Sequence, residues 1–182
     1  RQVCIDRLEF NADGTIRPIQ LTTSGVAPLA EPTSNDALVE LTRREDVVAS
    51  ASSCRKPIDI RGLSDSKRLL RRENYLSTNV IDGSNFTRWL PEHKDGDPWL
   101  MIDLGAIRSL RRTKLSLYRP TLGHAYALEA SANRNEWTTV ARHTKRHVRS
   151  PQVDIMSVDA RYLRIRVIEG HPGIWELRIF GE

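Results

Sequence analysis

The segment Asp82-Gly83-Ser84-Asn85-Phe86-Thr87 gathers a carboxylate, two hydroxyls and an amide within one turn around a glycine. Hard cations such as calcium take about six to eight oxygen ligands from carboxylates, hydroxyls and carbonyls, and a glycine lets the chain turn sharply enough to aim several of them inward. Asp82 and Thr87 are candidate ligands in that chemistry. The same residues also spell an Asx turn, in which Asp82 accepts from nearby backbone N–H groups and Gly83 supplies a positive φ. Spacing alone leaves both open.

Other chemistries are thinly supported. The chain shows no glycine-rich phosphate loop, no nucleophile elbow, and no Cys or His spacing suited to zinc. Glycoside hydrolysis needs two carboxylates roughly 5 to 10 Å apart on opposite sides of the scissile bond. Asp95 and Asp97 are too close in sequence, on one loop, to be that pair.

The elements that must position such a loop read as β. From Trp99 onward, Leu115 and Leu117, Tyr126 to Ala130, Trp137 to Val140, Val153 to Met156, Leu163-Ile165-Val167 and Trp175-Leu177-Ile179 alternate as successive strands, with Arg164 and Arg166 facing the other way. Short strands with turns every eight to twelve residues or so predict an all-β sandwich or jelly roll. Val47 to Ser52 reads as an earlier strand, and Pro57 to Ser77 as an irregular insertion with one helical turn near Ser66 to Arg72. Trp89, Trp99, Trp137 and Trp175 are assigned to packing. Pro28 and Pro32 mark a linker in APLAEPTSND, residues 27–36.

Six motifs carry a resemblance: Asp82 to Trp89, Trp99 to Gly105, Tyr126 to Ser131, Asn135-Glu136-Trp137, Ala160 to Ile165 and Ile174 to Ile179. Their order resembles coagulation factor 5/8 type C domains, also called discoidin domains, whose bacterial branch comprises the family 32 carbohydrate-binding modules. The resemblance implies a galactose-binding-domain-like jelly-roll β-sandwich with a structural calcium. It matches Asp82 to the acidic ligand, Thr87 to a hydroxyl or carbonyl ligand and Glu176 to a carboxylate from the last strand. Ser84 stands where the pattern often has a second aspartate, which lowers the site's negative charge. In such modules the loops at one end hold sugar, and Glu92, His93, Tyr118, Arg119 and His171 are the candidates here.

A second resemblance lies at the start. Val3 to Ile19, followed by Thr22-Thr23-Ser24-Gly25-Val26, looks like the closing hairpin of a glycoside hydrolase family 43 catalytic domain. By periodicity it is a β-hairpin around Asn11-Ala12-Asp13-Gly14. Together the resemblances imply residues 1–26 as a hairpin remnant, 27–44 as linker and 45–182 as the discoidin-like module. They imply a non-catalytic accessory module of a secreted, periplasmic or cell-surface glycoside hydrolase, with an upstream catalytic domain and a poly- or oligosaccharide as partners. The alternative is a structural or protein-interaction domain with no sugar site.

Composition agrees with a folded chain: 39% of its 182 residues are hydrophobic. No apolar run reaches the eighteen or so residues that span a bilayer, so no membrane insertion is expected. No secretory leader pattern opens the chain, so a leader is expected either to have been cut off or to lie on upstream sequence. The +5 formal charge, 28 Lys and Arg against 23 Asp and Glu, is mostly arginine. The basic runs Arg68 to Arg72 and Arg142 to Arg149 lack interleaved aromatics, which argues against a nucleic-acid partner; the second reads as a loop before Pro151. Cys4 and Cys54 could pair in a secreted setting, though nothing in the spacing requires it.

Overall fold

The computed structural model describes residues 9–18, 38–56, 74–84, 86–92, 96–147 and 149–182. The chain divides into two compact units, Arg1–Ala37 and Leu38–Glu182. The predicted linker stretch 27–37, the turn near Ser66 to Arg72, Asp95, Cys4 and His93 lie outside the described residues; Cys54 is a free thiol.

Within the first unit, residues 9–18 form a turn of hairpin type. Phe10 and Ile16 make an antiparallel bridge, and the Gly14 N–H donates to the Asn11 carbonyl at 3.0 Å, closing the turn over the tetrad the sequence marks. Asp13 tightens it, accepting from the Thr15 N–H at 2.9 Å.

The second unit is built of antiparallel strands and short 3-10 turns. Its strands are β1 (Val39–Glu40), β2 (Val48–Ala51), β3 (Trp99–Leu117), β4 (His124–Ser131), β5 (Thr138–His147), β6 (Gln152–Glu169) and β7 (Ile174–Gly181). They run in the order β1-β7-β3-β6-β4-β5, with β2 also paired to β3. Val39 and Glu40 pair with Gly181 and Phe180, so residues 39–43, inside the stretch read as linker, belong to this unit.

β3 and β6 are each one long strand where the sequence suggested two. The reason is a pair of bulges: the β3–β6 register shifts between Asp103 and Arg108 and again between Leu110 and Arg112, and Gly105 takes φ +76°. A bulge bends a strand without ending it. The first half of β3 therefore pairs with β2 and with the end of β6, and its second half lies between β7 and the start of β6. The sheet folds over one core, made by Leu100, Ile102 and Leu104 from the first half, Leu110, Leu115 and Leu117 from the second, and Leu163, Ile165, Leu177 and Ile179 from the neighbouring strands. Each such side chain contributes about 1.5–3 kcal/mol by leaving water. This is the nearly all-β, galactose-binding-domain-like sandwich that the sequence predicts.

Three local expectations differ. Of the tryptophans only Trp89 is fully buried, its Nε1 donating to the Ser53 carbonyl at 2.9 Å; Trp99, Trp137 and Trp175 are half-buried. At Trp175 the cause is a register shift that pairs Ser116 with Glu176 but Leu117 with Ile174. Ile174 takes the inward place, and Trp175 turns out of the core. The basic stretch from Arg142 is strand rather than loop as far as His147, because β5 continues along β4 through the pairs Ala127–Arg142 and Tyr126–His143. His143 stacks on Tyr126 at 4.5 Å, and both bond to the buried Asp154 carboxylate at 2.6 Å. Along the start of β6 the alternation is real but inverted: Gln152 and Asp154 face inward, while Val153 and Ile155 are exposed.

Candidate functional site

Four loop segments meet at one concavity of about 320 Å³, lined by Arg55, Leu90, Glu92, Tyr118, Arg119 and His171, with Pro91 and Pro172. Backbone bonds hold the segments together. The Arg55 N–H donates to the Leu90 carbonyl and the Tyr118 N–H to the Gly173 carbonyl, both at 2.8 Å, and Trp89 bridges Ile174. Gly173 is required by this approach, since a Cβ there would collide with Leu90 and with Tyr118 Cβ. The Glu92 N–H is fixed by the Ser53 hydroxyl at 3.0 Å. His171 is anchored through its carbonyl, which contacts buried His124 Nε2 at 3.0 Å.

The described sugar candidates Glu92, Tyr118, Arg119 and His171 thus line a single cavity, although they come from three separate loops. Two further residues went unmarked by the sequence. Arg55 lies in irregular chain after β2, and only its tertiary bonds to Leu90 and to the Pro91 carbonyl, 3.3 Å from Nε, bring it to the cavity. Arg88 lies behind it: its guanidinium carbon is 4.7 Å from the centre of the Trp175 ring and 5.1 Å from those of Tyr75 and Tyr118. The bulge that turns Trp175 outward makes this stack. Trp175 and His171 meet the Tyr118 ring edge-on, at 6.0 and 6.5 Å.

The expected metal ligands take a different arrangement. Asp82 closes an Asx turn, accepting from the Ser84 N–H at 2.8 Å and from the Thr87 hydroxyl at 2.5 Å, while the Ser84 hydroxyl accepts from the Phe86 N–H. Glu176 is paired at 3.2 Å with Arg43 Nη2. The Arg43 guanidinium also bonds Glu40 through Nε at 3.1 Å, and it fills the space over Gly83 (φ +77°), where any Cβ would collide with it. Loop and last strand do converge on a positive charge, and that charge is an arginine. Among the described residues no group of three or more His, Cys, Asp or Glu could hold a metal ion. The donor set, as arranged, does not fit a calcium cage: both Asp82 oxygens and Glu176 Oε1 are engaged, and a cation stands against them.

Residues 79–165 match the F5/8 type C family described as NedA-like, galactose-binding domain. A solved glycoside hydrolase, 36% identical, covers 94% of the chain with a TM-score of 0.69, and the chain spans 38% of that protein's length. The Clostridium perfringens module CpGH89CBM32-5, solved in complex with GalNAc-β-1,3-galactose, is 16% identical over 79% of this chain and 100% of its own, with a TM-score of 0.62. Chitosan-binding module 1, derived from chitosanase/glucanase from Paenibacillus sp. IK-5, is 22% identical over 79% of this chain and 99% of its own, with a TM-score of 0.56. No curated protein matches the chain. Fold and matches define a class, the galactose-binding-domain-like β-sandwiches. The matched stretch, residues 79–165, is F5/8 type C-like, and the structural neighbours include family 32 carbohydrate-binding modules from Clostridium perfringens.

Proposed function

We propose that the chain is a non-catalytic module that holds a glycoside hydrolase against its carbohydrate, with the sugar seated in the cavity between Glu92, Tyr118, Arg119 and His171. The observation that carries this reading is the convergence of those residues, from three loops, on one concavity at the small end of the size range of ligand sites. Hydroxyl, carboxylate, imidazole and guanidinium groups there suit the hydrogen-bond pattern of a sugar. The 36% identical hydrolase supports the link to a longer enzyme, and the Clostridium module's GalNAc-β-1,3-galactose supports the ligand class. An upstream catalytic domain and a secreted, periplasmic or cell-surface setting go with a polysaccharide target and are part of the proposal. Calcium has no step in it, because Arg43 holds the place expected for that ion.

A glycan array followed by calorimetry tests the reading. The expected result is saturable binding to at least one glycan class, with Glu92→Gln and His171→Ala each weakening it about tenfold, or 1.4 kcal/mol, and leaving the melting temperature unchanged. Absence of binding across the array would overturn the proposal in favour of an interaction domain.

A further inference from the structure

We infer that the sugar taken by this cavity is anionic, bearing a carboxylate or a sulfate ester, and that Arg55 and Arg119 grip that charge. The inference rests on the cavity being the carbohydrate site and specifies what the site accepts.

A neutral sugar is held largely by an open aromatic face against its C–H surface, with a few hydrogen bonds for orientation. Tyr118 is the one Phe, Tyr or Trp among the described lining residues, and its ring is already engaged with cations. The guanidinium carbons of Arg88 and Arg119 stand 5.1 and 5.2 Å from its centre, within the range of cation–π attraction. The ring serves to seat arginines rather than as a bare platform.

What the cavity offers instead is guanidinium N–H. Arg55 commits Nε to the Pro91 carbonyl, and Arg119 commits Nε to the Tyr118 hydroxyl at 3.1 Å. Neither pairs with a carboxylate among the described residues, although Glu92 lines the same space. Other arginines of the module, among them Arg43, Arg161, Arg164, Arg166 and Arg178, bridge to Asp or Glu. The terminal nitrogens of Arg55 and Arg119 form planar forks, the geometry that matches two oxygens of a carboxylate or sulfate.

The backbone adds a second sign. Arg119 takes φ 53°, ψ 57°, the left-handed conformation that crowds the Cβ of a non-glycine residue. Such strain persists where the surroundings impose it, and it concentrates at ligand sites. Here it turns the chain into the Pro120–Leu122 turn and sets the side chain beside Tyr118. With Arg88 against the same ring, three guanidinium groups gather around a cavity whose lining holds one carboxylate, Glu92, a balance that favours an anion.

The test is calorimetric titration of the whole chain with three oligosaccharides of equal length: an oligogalacturonide, the same oligomer after reduction of its carboxyls, and a sulfated galacto-oligosaccharide. The expected result is at least about tenfold tighter binding of a charged oligomer than of the reduced one, weakening from about 50 to about 300 mM salt. Arg55→Gln and Arg119→Gln should each lose about tenfold toward the charged oligomer and thereby narrow its preference over the reduced one, with the melting curve unmoved. The uronate and sulfate arms identify the anion. Equal affinity for charged and reduced oligomers, or charged-ligand binding indifferent to both arginine variants, overturns the inference while leaving a sugar site standing. Binding to neither charged oligomer also overturns it, and the glycan array decides separately whether the carbohydrate reading falls too.

Discussion

At the scale of single residues, the turn at Asp82 shows how one donor set can serve two chemistries. Carboxylate, hydroxyl and glycine at that spacing suit a calcium loop or the commoner Asx turn, and only the neighbour across the gap decides between them. That neighbour is Arg43, 40 positions before Gly83 and 133 from Glu176; no local pattern ties them. Arg55 was hidden for the same reason, whereas Tyr118 and His171 stand beside strand ends and were readable. Because the internal guanidinium already neutralises Glu176, excess chelator should leave the melting temperature unchanged. Arg43→Met should instead lower stability by about 1 kcal/mol, a partly exposed charge network being worth no more than that. For a unit this size such a loss moves the melting temperature by roughly 2–4 °C. Calorimetric scans with and without chelator check both halves. A fall in the chelated sample would mean that a divalent ion displaces Arg43 and binds Glu176.

At the scale of elements, period-two alternation placed nearly every strand but could not place their breaks. Trp99 to Gly105 and Leu115 to Leu117 read as separate strands because the bend at Gly105 looks like a turn; the ladder on β6 shows it to be a bulge. The phase of alternation fails where a bulge adds a residue, as at Trp175, and where buried polar groups satisfy one another, as Asp154 does with Tyr126 and His143. The β3–β6 corner carries a clasp: Arg161 donates to Asp103 through Nε at 2.8 Å and Nη2 at 3.0 Å, and the Gly105 N–H donates to the same carboxylate at 2.9 Å. The Arg161 hydrogen bonds, opposed by partial burial and aided by the Gly105 N–H, hold the Asp103 carboxyl below its ordinary 3.8. Glu40 is also held low, with burial working to raise it and the bonds from Arg178 and Thr42 outweighing that. A carboxyl depressed on folding adds stability above its unfolded value, and that share is lost as pH falls through the folded value. The melting temperature should accordingly hold from neutral pH down to about 5 and drop steadily below about 4. In Asp103→Asn, stability at pH 7 should fall by about 1–2 kcal/mol, since charge-assisted bonds are removed, and the acid limb should flatten. Melting scans at stepped pH measure this, and an acid limb of undiminished slope in the variant would refute the role of Asp103.

At the scale of the whole molecule, the fold class was legible because it depends on many residues at once: alternation, scattered turn residues and six ordered motifs need no single position to be right. The boundary of the module was not legible, because residues 38–44, LVELTRR, are too few to show a period, and they are held by partners far along the chain. Leu41 is buried at 2% exposure, Glu40 accepts from Arg178 Nε at 2.9 Å, and β1 closes the edge of β7. Division of the chain at Ala37 and Leu38 therefore carries an energetic consequence that a start at Glu45 would not. A protein beginning at Leu38 should keep its melting temperature and its glycan affinity. One beginning at Glu45 loses the Leu41 side chain from the core, at about 1.5–3 kcal/mol, and takes Glu40 from Arg178 and Arg43 from Glu176, adding about 1 kcal/mol more. Together these amount to roughly 5–15 °C in melting temperature for a unit of this size. Equal melting temperatures for the two proteins would show that β1 is dispensable.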